Sequence, residues 1–321
     1  MHISKKKCNF AAIFSKIMKK AFPYIAVIVA MLIWAGSGIA VKAALCSFSP
    51  MWLIVLRFTA AVLLMAVVGL VTRQLRPTSM LALQPLAKAD IWLFVLAGFF
   101  QPFLYFILET YSYQAFATPT IAEAFLSTNP LMAPIFAWLF LRERVTKWNI
   151  LGIVVSTAGM AVLVLAGSSS FAVGPFYAIP LALVTVATAV AYSILLKRIP
   201  AHYNALTIVF WVQLSGLVLF TLLHLLTPHA PFTQVIETVN KQALWGVTYL
   251  AILSSVAAFI LFCYSVRFLG VTKANVFNNI RPVFTALIML LLFHEHLPMA
   301  KWGGIVIIII GLFICQKREK K

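Results

Sequence analysis

The chain has 321 residues, of which 63% are hydrophobic and only 10% charged, with a mean hydropathy of +1.01 and a formal net charge of +18. Soluble domains carry about 25% charged residues, so a water-soluble globular fold is excluded. Short polar joints separate long apolar runs and leave no room for a soluble catalytic domain.

In chain order, residues 1–21, "MHISKKKCNFAAIFSKIMKKA", mix lysines with Phe10, Ile13, Phe14 and Ile17. They lack the long apolar core and small-residue cleavage site of a signal peptide and read as a basic interfacial helix. Ten apolar runs follow, at about 22–45, 50–72, 90–111, 118–141, 148–166, 175–196, 204–227, 245–266, 273–293 and 299–316. Each is near 20 residues, the length that crosses a ~30 Å hydrocarbon core as a helix. With the N-terminus in the cytoplasm, twenty Lys/Arg fall on the inner side, ending with the basic tail 317–321. Only three, Lys42, Lys241 and Lys301, fall outside. This positive-inside bias predicts two cytoplasmic termini and explains the basic excess without nucleic acid. The same charge favours anionic membrane lipid.

A shift of 152 residues lays the fourth and fifth runs on the ninth and tenth. Thr120/Thr272, Ala122/Ala274, Phe125/Phe277, Pro130/Pro282, Glu143/Glu295, Gly152/Gly304 and Gly159/Gly311 match in one ungapped frame. Each half, 22–166 and 175–316, then holds five helices. An odd number forces the two copies into opposite membrane orientations. The predicted fold is an all-α integral membrane protein of ten transmembrane helices in two inverted five-helix repeats. Inverted repeats are a transporter signature, with the substrate site near the midplane.

Specific strings carry a family resemblance: "IWAGSGIAVK" in the first helix, "LRF" in the second, and "LSTNPLMAPIFAWLFLRERVTKWNILGIVVSTAGM" across the fourth and fifth. "ALVTVATAVAYSILLKRI" also fits, with Val190 where a Trp is common. Over about residues 22–316 the chain resembles the drug/metabolite transporter superfamily, in its ten-helix EamA-type branch. The resemblance implies two inverted five-helix repeats around a central cavity, moving small metabolites across the inner membrane. It also marks Arg57 of "LRF" as a hallmark, with a structural or gating role.

Polar residues inside the spans are the candidate site. In the ninth helix Asn275, Asn278, Arg281 and Thr285 recur at spacings of three and four, on one face, and Asn279 lies slightly round from them. Arg281 stands about eight residues in, roughly 12 Å at 1.5 Å per residue, near the midplane. Intramembrane charge is expensive and marks function. Pro282 frees a backbone carbonyl there. The EamA pattern usually has an apolar residue before this proline, so Arg281 is a departure. A guanidinium at that depth points to a carboxylate-bearing substrate.

The inverted partner, the fourth helix, carries Thr120, Glu123, Ser127, Pro130 and Pro134; the third carries Gln101, Tyr105, Glu109 and Ser112. Glu109 and Glu123 are candidates for proton coupling or for pairing with Lys42 or Arg57. Tyr105, Thr188, Tyr192 and Trp211 are further candidate cavity walls. Glu143 and Glu295 sit in equivalent loops and read as structural.

No metal site or cofactor is implied: Cys8, Cys46, Cys263 and Cys315 are scattered, "HEHLP" has the wrong spacing for zinc, and no P-loop is present. An intramembrane enzyme would need a nucleophile with its base, and no such constellation is found. The reading is an inner-membrane secondary transporter, an exporter of amino acids or related small metabolites. A channel is the alternative, and both a monomer and a homodimer fit.

Overall fold

In the computed structural model the described residues are 2–79, 81–115, 125–126, 128–166, 175–227, 239–293 and 299–317, with side chains described from residue 21 onward. They form an all-helical bundle. Helix α1 runs from His2 to Leu45 without a break at Pro23, so the basic stretch and the first span make one rod. Helix α2 is Pro50–Leu75, and α3 joins Ile91–Gly98, a stretch Phe99–Leu104 kinked at Gln101 (φ -151, ψ 120), and Tyr105–Ala115. Helices α4 to α7 are Asn129–Leu141, Lys147–Leu165, Ala178–Arg198 and Ala205–Leu226. Helix α8 joins Lys241–Tyr249, a π-helical Leu250–Ala258 and Phe259–Leu269. Helix α9 joins Val271–Asn275, a 3-10 stretch Val276–Ile280 and Arg281–Phe293, and α10 is Met299–Gln316.

Among the described residues seven helices are long and apolar enough to cross a membrane, and Asn129–Leu141 and Lys147–Val162 are shorter apolar ones. The repeat is visible in where helices start and break. Asn129–Leu141 and Arg281–Phe293 coincide at both ends under the 152-residue offset, and Lys147 falls on Met299, the two starts of the following helices. The kinked stretch Phe99–Leu104 of α3 falls on the π-helical stretch of α8 under the same shift. The chain is a multi-pass membrane protein of two inverted repeats.

Lipid tails are as apolar as leucine, so helices in a bilayer associate by close packing and polar contacts. The α5–α10 seam uses the first means. Gly152 backs onto Cys315, and a Cβ on Gly159 would lie 2.9 Å from the Gly304 carbonyl oxygen. Any larger residue there would push the helices apart. Asn149 locks the seam by donating from Nδ2 to the Cys315 carbonyl at 2.6 Å. Helix α1 crosses both α8 and α9, α2 packs on α7 and α8, and α4 packs on α6 and the first half of α9. The main core cluster includes Met31, Met65, Phe94, Val190, Phe210, Phe259 and Phe262.

One end of the bundle gathers the basic loops. Arg198 Nη2 donates to the Phe140 carbonyl at 2.8 Å, Lys197 Nζ to the Arg267 carbonyl at 2.7 Å, and Arg267 Nη2 to the Pro200 carbonyl at 3.0 Å. Here residues 82–87 dock on the α6–α7 joint: Asn204 Nδ2 donates to Ala82 O at 2.7 Å and Asn204 N to Gln84 Oε1 at 2.7 Å. Tyr203 donates to Asp90 Oδ2 at 2.9 Å and accepts from Ala87 N at 3.0 Å. Burial and the Asp90 carboxylate push the Tyr203 phenol above its ordinary value, which keeps it protonated as a donor.

Candidate functional site

Three polar regions interrupt the apolar bundle. The first is the break in α9. Pro282 leaves the carbonyl one turn earlier without its usual partner, and the α-ladder gives way to 3-10 geometry over Val276–Ile280. The Arg281 N–H takes up the Asn278 carbonyl, while Asn275 donates Nδ2 to the Val271 carbonyl at 3.0 Å and Asn278 donates to the Asn275 carbonyl at 2.9 Å. Asn279 points the other way, to Ser156 Oγ at 2.8 Å on α5. All three asparagines are buried, while Arg281 is half-buried and Thr285 exposed. Thr285 Oγ1 donates to the Arg281 carbonyl at 3.1 Å and reaches the Ala35 carbonyl of α1 at 3.4 Å.

Asn129 of α4 is the repeat counterpart of Arg281. It is 5% exposed, and its Oδ1 is buried without a hydrogen-bond partner among the described residues. At 1.5–2.0 Å of rise per residue, Asn129 and Arg281 both lie on the order of 15–20 Å from the α4–α9 contact at the basic end. Sequence reasoning missed Asn129, although the offset that paired Pro130 with Pro282 also pairs Asn129 with Arg281.

The second region surrounds Arg57, buried at 5% exposure. Its Nε donates to Ser255 Oγ at 3.0 Å and its Nη2 to Ser254 Oγ at 3.4 Å. The guanidinium also faces the rings of Phe106 at 4.7 Å and Phe58 at 5.0 Å, a favourable place for a desolvated cation. Tyr105 donates to Glu109 Oε1 at 2.9 Å, and the charge of Glu109 acts on Arg57. The same two serines collect Trp34 Nε1 on the Ser254 carbonyl at 3.2 Å, Ser37 on Ser254 Oγ at 3.1 Å, and Gln213 Nε2 on the Ser255 carbonyl. A π-helical stretch leaves carbonyls out of the regular ladder, which is how one pair of residues serves α1, α2 and α7 together. This hub was not expected. Its only signal is a Ser-Ser pair at the middle of an apolar helix.

One turn of α1 touches both regions: Trp34 and Ser37 meet Ser254, and Ala35 meets Thr285. The third region is Glu143, in the α4–α5 joint. Its Oε1 accepts from the Val271 amide at 3.1 Å, and its Oε2 from the Thr272 amide and hydroxyl at 3.5 Å each. A carboxylate at the first turn of a helix satisfies orphan amides and complements the helix dipole. Gly270 precedes it at φ +88, where a Cβ would lie 3.0 Å from Glu143 Oε1. Glu143 is therefore a clamp from the first repeat on α9 of the second.

The remaining candidates are dispersed. Thr188 donates to the Thr185 carbonyl at 2.6 Å, and Thr185 meets Ser112 at 3.3 Å. Tyr192 is fully buried edge-on to Phe259, and its hydroxyl has no partner among the described residues. The Trp211 indole N–H reaches the Gln84 carbonyl at 3.4 Å, at the basic end. Lys42 lies on α1 with its side chain outside the described residues; Thr120, Glu123, Ser127 and Glu295 also lie outside them.

A profile of the EamA-like transporter family matches residues 21–165 and again 176–315. An uncharacterized transporter, YetK, of Bacillus subtilis (strain 168) is 26% identical over 239 residues, covering 74% of this chain and 71% of that protein. An uncharacterized transporter of Archaeoglobus fulgidus is 23% identical over 302 residues, 94% of this chain and all of the relative. A solved crystal structure superposes with a TM-score of 0.73 at 21% identity, over 93% of this chain and 96% of that one, which shows a shared fold. With both halves matched in tandem and the break, hub and clamp on equivalent or facing elements, the chain belongs to the EamA-like transporter family and is a transporter, not an enzyme.

Proposed function

We propose that the protein is an inner-membrane secondary transporter, with both termini cytoplasmic, that exports amino acids or related small metabolites by alternating access. The observation that carries the substrate class is the pair at equivalent positions of the two repeats, Arg281 and Asn129. A half-buried guanidinium beside a helix break offers a bidentate partner for a carboxylate. The buried Asn129 Oδ1 is an acceptor awaiting a donor, and such groups are rarely left alone. An amino acid supplies both partners, a carboxylate and an ammonium. Asn278 and Thr285 line the approach to Arg281. Tyr105, Thr188 and Tyr192 are assigned the surrounding walls, and Trp211 a wall toward the basic end.

Alternating access needs two repeats that rock about a fixed site. The α1 turn from Trp34 to Ser37, in contact with both the α9 break and the Arg57 hub, supports that reading. Arg57 and Glu109 are assigned the coupling side, with Lys42 and Glu123 as the other charged members. The cytoplasmic placement of the termini rests on the excess of basic residues at the latched end.

Purified protein in proteoliposomes tests the proposal. Saturable exchange is expected for amino acids, with far weaker exchange of amines that lack the carboxylate. Equal handling of amines and amino acids would refute the substrate class. Ionic conductance in planar bilayers without counterflow would identify a channel.

A further inference from the structure

We infer that the α4–α5 joint holds a binding site for the phosphate of an anionic phospholipid, gripped by Arg142 and Arg144. A groove of about 680 Å³ opens there, lined by Trp138, Leu139, Arg142, Glu143, Arg144, Val145 and Thr146. In the sequence R-E-R a single glutamate stands between the two arginines. Glu143 turns its oxygens onto the amides of Val271 and Thr272, across the repeat boundary. Arg142 and Arg144 are exposed, and their guanidinium groups have no hydrogen-bond or charge partner among the described residues. The groove is thus left with two guanidinium groups whose local carboxylate is committed elsewhere. Guanidinium geometry suits the paired oxygens of a phosphate.

The rest of the groove suits a lipid better than a free ion. Trp138, Leu139 and Ile135 are 63%, 61% and 62% exposed, and Leu131 lies on the same face one turn back. This apolar stripe on α4 ends directly at the arginines. An acyl chain would lie along it with Trp138 at headgroup level, the place tryptophan prefers. The joint is also fixed rather than loose. Arg142 closes α4 at φ 53 with its N–H on the Ala137 and Trp138 carbonyls, and Thr146 with Asn149 caps α5 by a reciprocal pair of bonds. The two guanidinium stems therefore leave from defined positions. Because Glu143 belongs to the same joint, a bound headgroup bears on the clamp that holds α9.

The test is native mass spectrometry of the full chain equilibrated with mixed micelles of phosphatidylglycerol and phosphatidylcholine. Wild type is expected to retain phosphatidylglycerol in preference. The double variant Arg142→Asn/Arg144→Gln, with asparagine chosen because it tolerates positive φ, is expected to lose at least fivefold of that retention. Arg73→Gln/Arg76→Gln removes two exposed arginines outside the groove and is expected to change retention less than twofold. Equal losses from the two doubles would overturn the site in favour of diffuse basic attraction. Retention unchanged by the groove double would overturn it outright. Inorganic phosphate at millimolar concentration should not displace the lipid, and displacement would mean a free-anion site instead.

Discussion

The two repeats share a frame and differ in chemistry. Helices α4 and α9 begin their regular stretches at equivalent residues, each just before a proline. One copy presents Asn129 at that point and the other Arg281. Likewise α3 kinks at Gln101 where, under the same offset, α8 loosens into π-helix. One places a glutamine before its proline, and the other places Ser254 and Ser255, which gather Arg57, Trp34, Ser37 and Gln213. Duplication supplies the architecture and the breaks. On the proposed reading, divergence of a few polar side chains gives the symmetric bundle one cationic and one accepting side. On that reading, function resides in the asymmetry between copies.

Predictions that probe this asymmetry run from large to small. Glu109→Gln keeps an acceptor for the Tyr105 hydroxyl but removes the charge acting on Arg57. Gradient-driven uptake should then lose its response to an imposed pH difference while exchange at equal pH persists. Full retention of gradient-driven uptake would free Glu109 of a coupling role. Next, Asn129→Leu removes the accepting side alone. Affinity for an amino acid should fall about tenfold, roughly 1.4 kcal/mol, while its desamino analogue binds as before. Parallel losses for both ligands would show that Asn129 serves only packing.

The clamp gives a smaller effect. Glu143→Gln replaces charge-assisted bonds to Val271 and Thr272 by neutral ones about half as strong. A cysteine placed at Ala274, which is fully buried, should react with a membrane-impermeant thiol reagent several-fold faster in that variant. Unchanged labelling would mean that Glu143 does not hold the end of α9 shut. Smallest is Tyr203→Phe, which removes bonds to Asp90 and Ala87 at the basic end and should lower stability by about 1–2 kcal/mol. The sign with pH follows from the raised phenol. Its contribution is complete below pH ~10, the ordinary tyrosine value, and fades as pH rises through the higher folded-state value. A thermal-melting comparison of the two proteins at neutral and high pH would check both statements.

Much of this frame was legible from local signals. Apolar runs marked the spans, Pro282 marked the break in α9, and single-residue matches such as Gly152 with Gly304 marked the repeat. Helical spacing put Asn275, Asn278, Arg281 and Thr285 on one stripe, whereas the fold buries both asparagines, half-buries Arg281 and exposes Thr285. The Arg57 hub was not legible, because Ser254 lies 197 residues from the arginine it meets. Nothing local distinguishes a serine that receives a distant guanidinium from one that bonds its own helix. The partner of Glu143 was hidden for a related reason: the sequence marks it as structural, and only the folded contact with Val271 shows what it holds. Trp211 shows the converse. It reads as a candidate cavity wall, and nothing local announces that its ring nitrogen meets the backbone of Gln84, a contact set by the docking of another loop.

The most direct measurement of the central claim is solute counterflow in proteoliposomes by wild type, Arg281→Lys and Arg281→Leu, with an amino acid as probe. Expression and monodispersity are followed side by side. Leucine removes an intramembrane charge and lowers the cost of insertion, and lysine leaves that charge in place, so both variants should reach the membrane. Lysine keeps the charge but loses the planar fork, and substrate affinity should drop by about tenfold or more. Leucine should nearly eliminate counterflow. A well-folded Arg281→Leu protein with full counterflow would contradict the account.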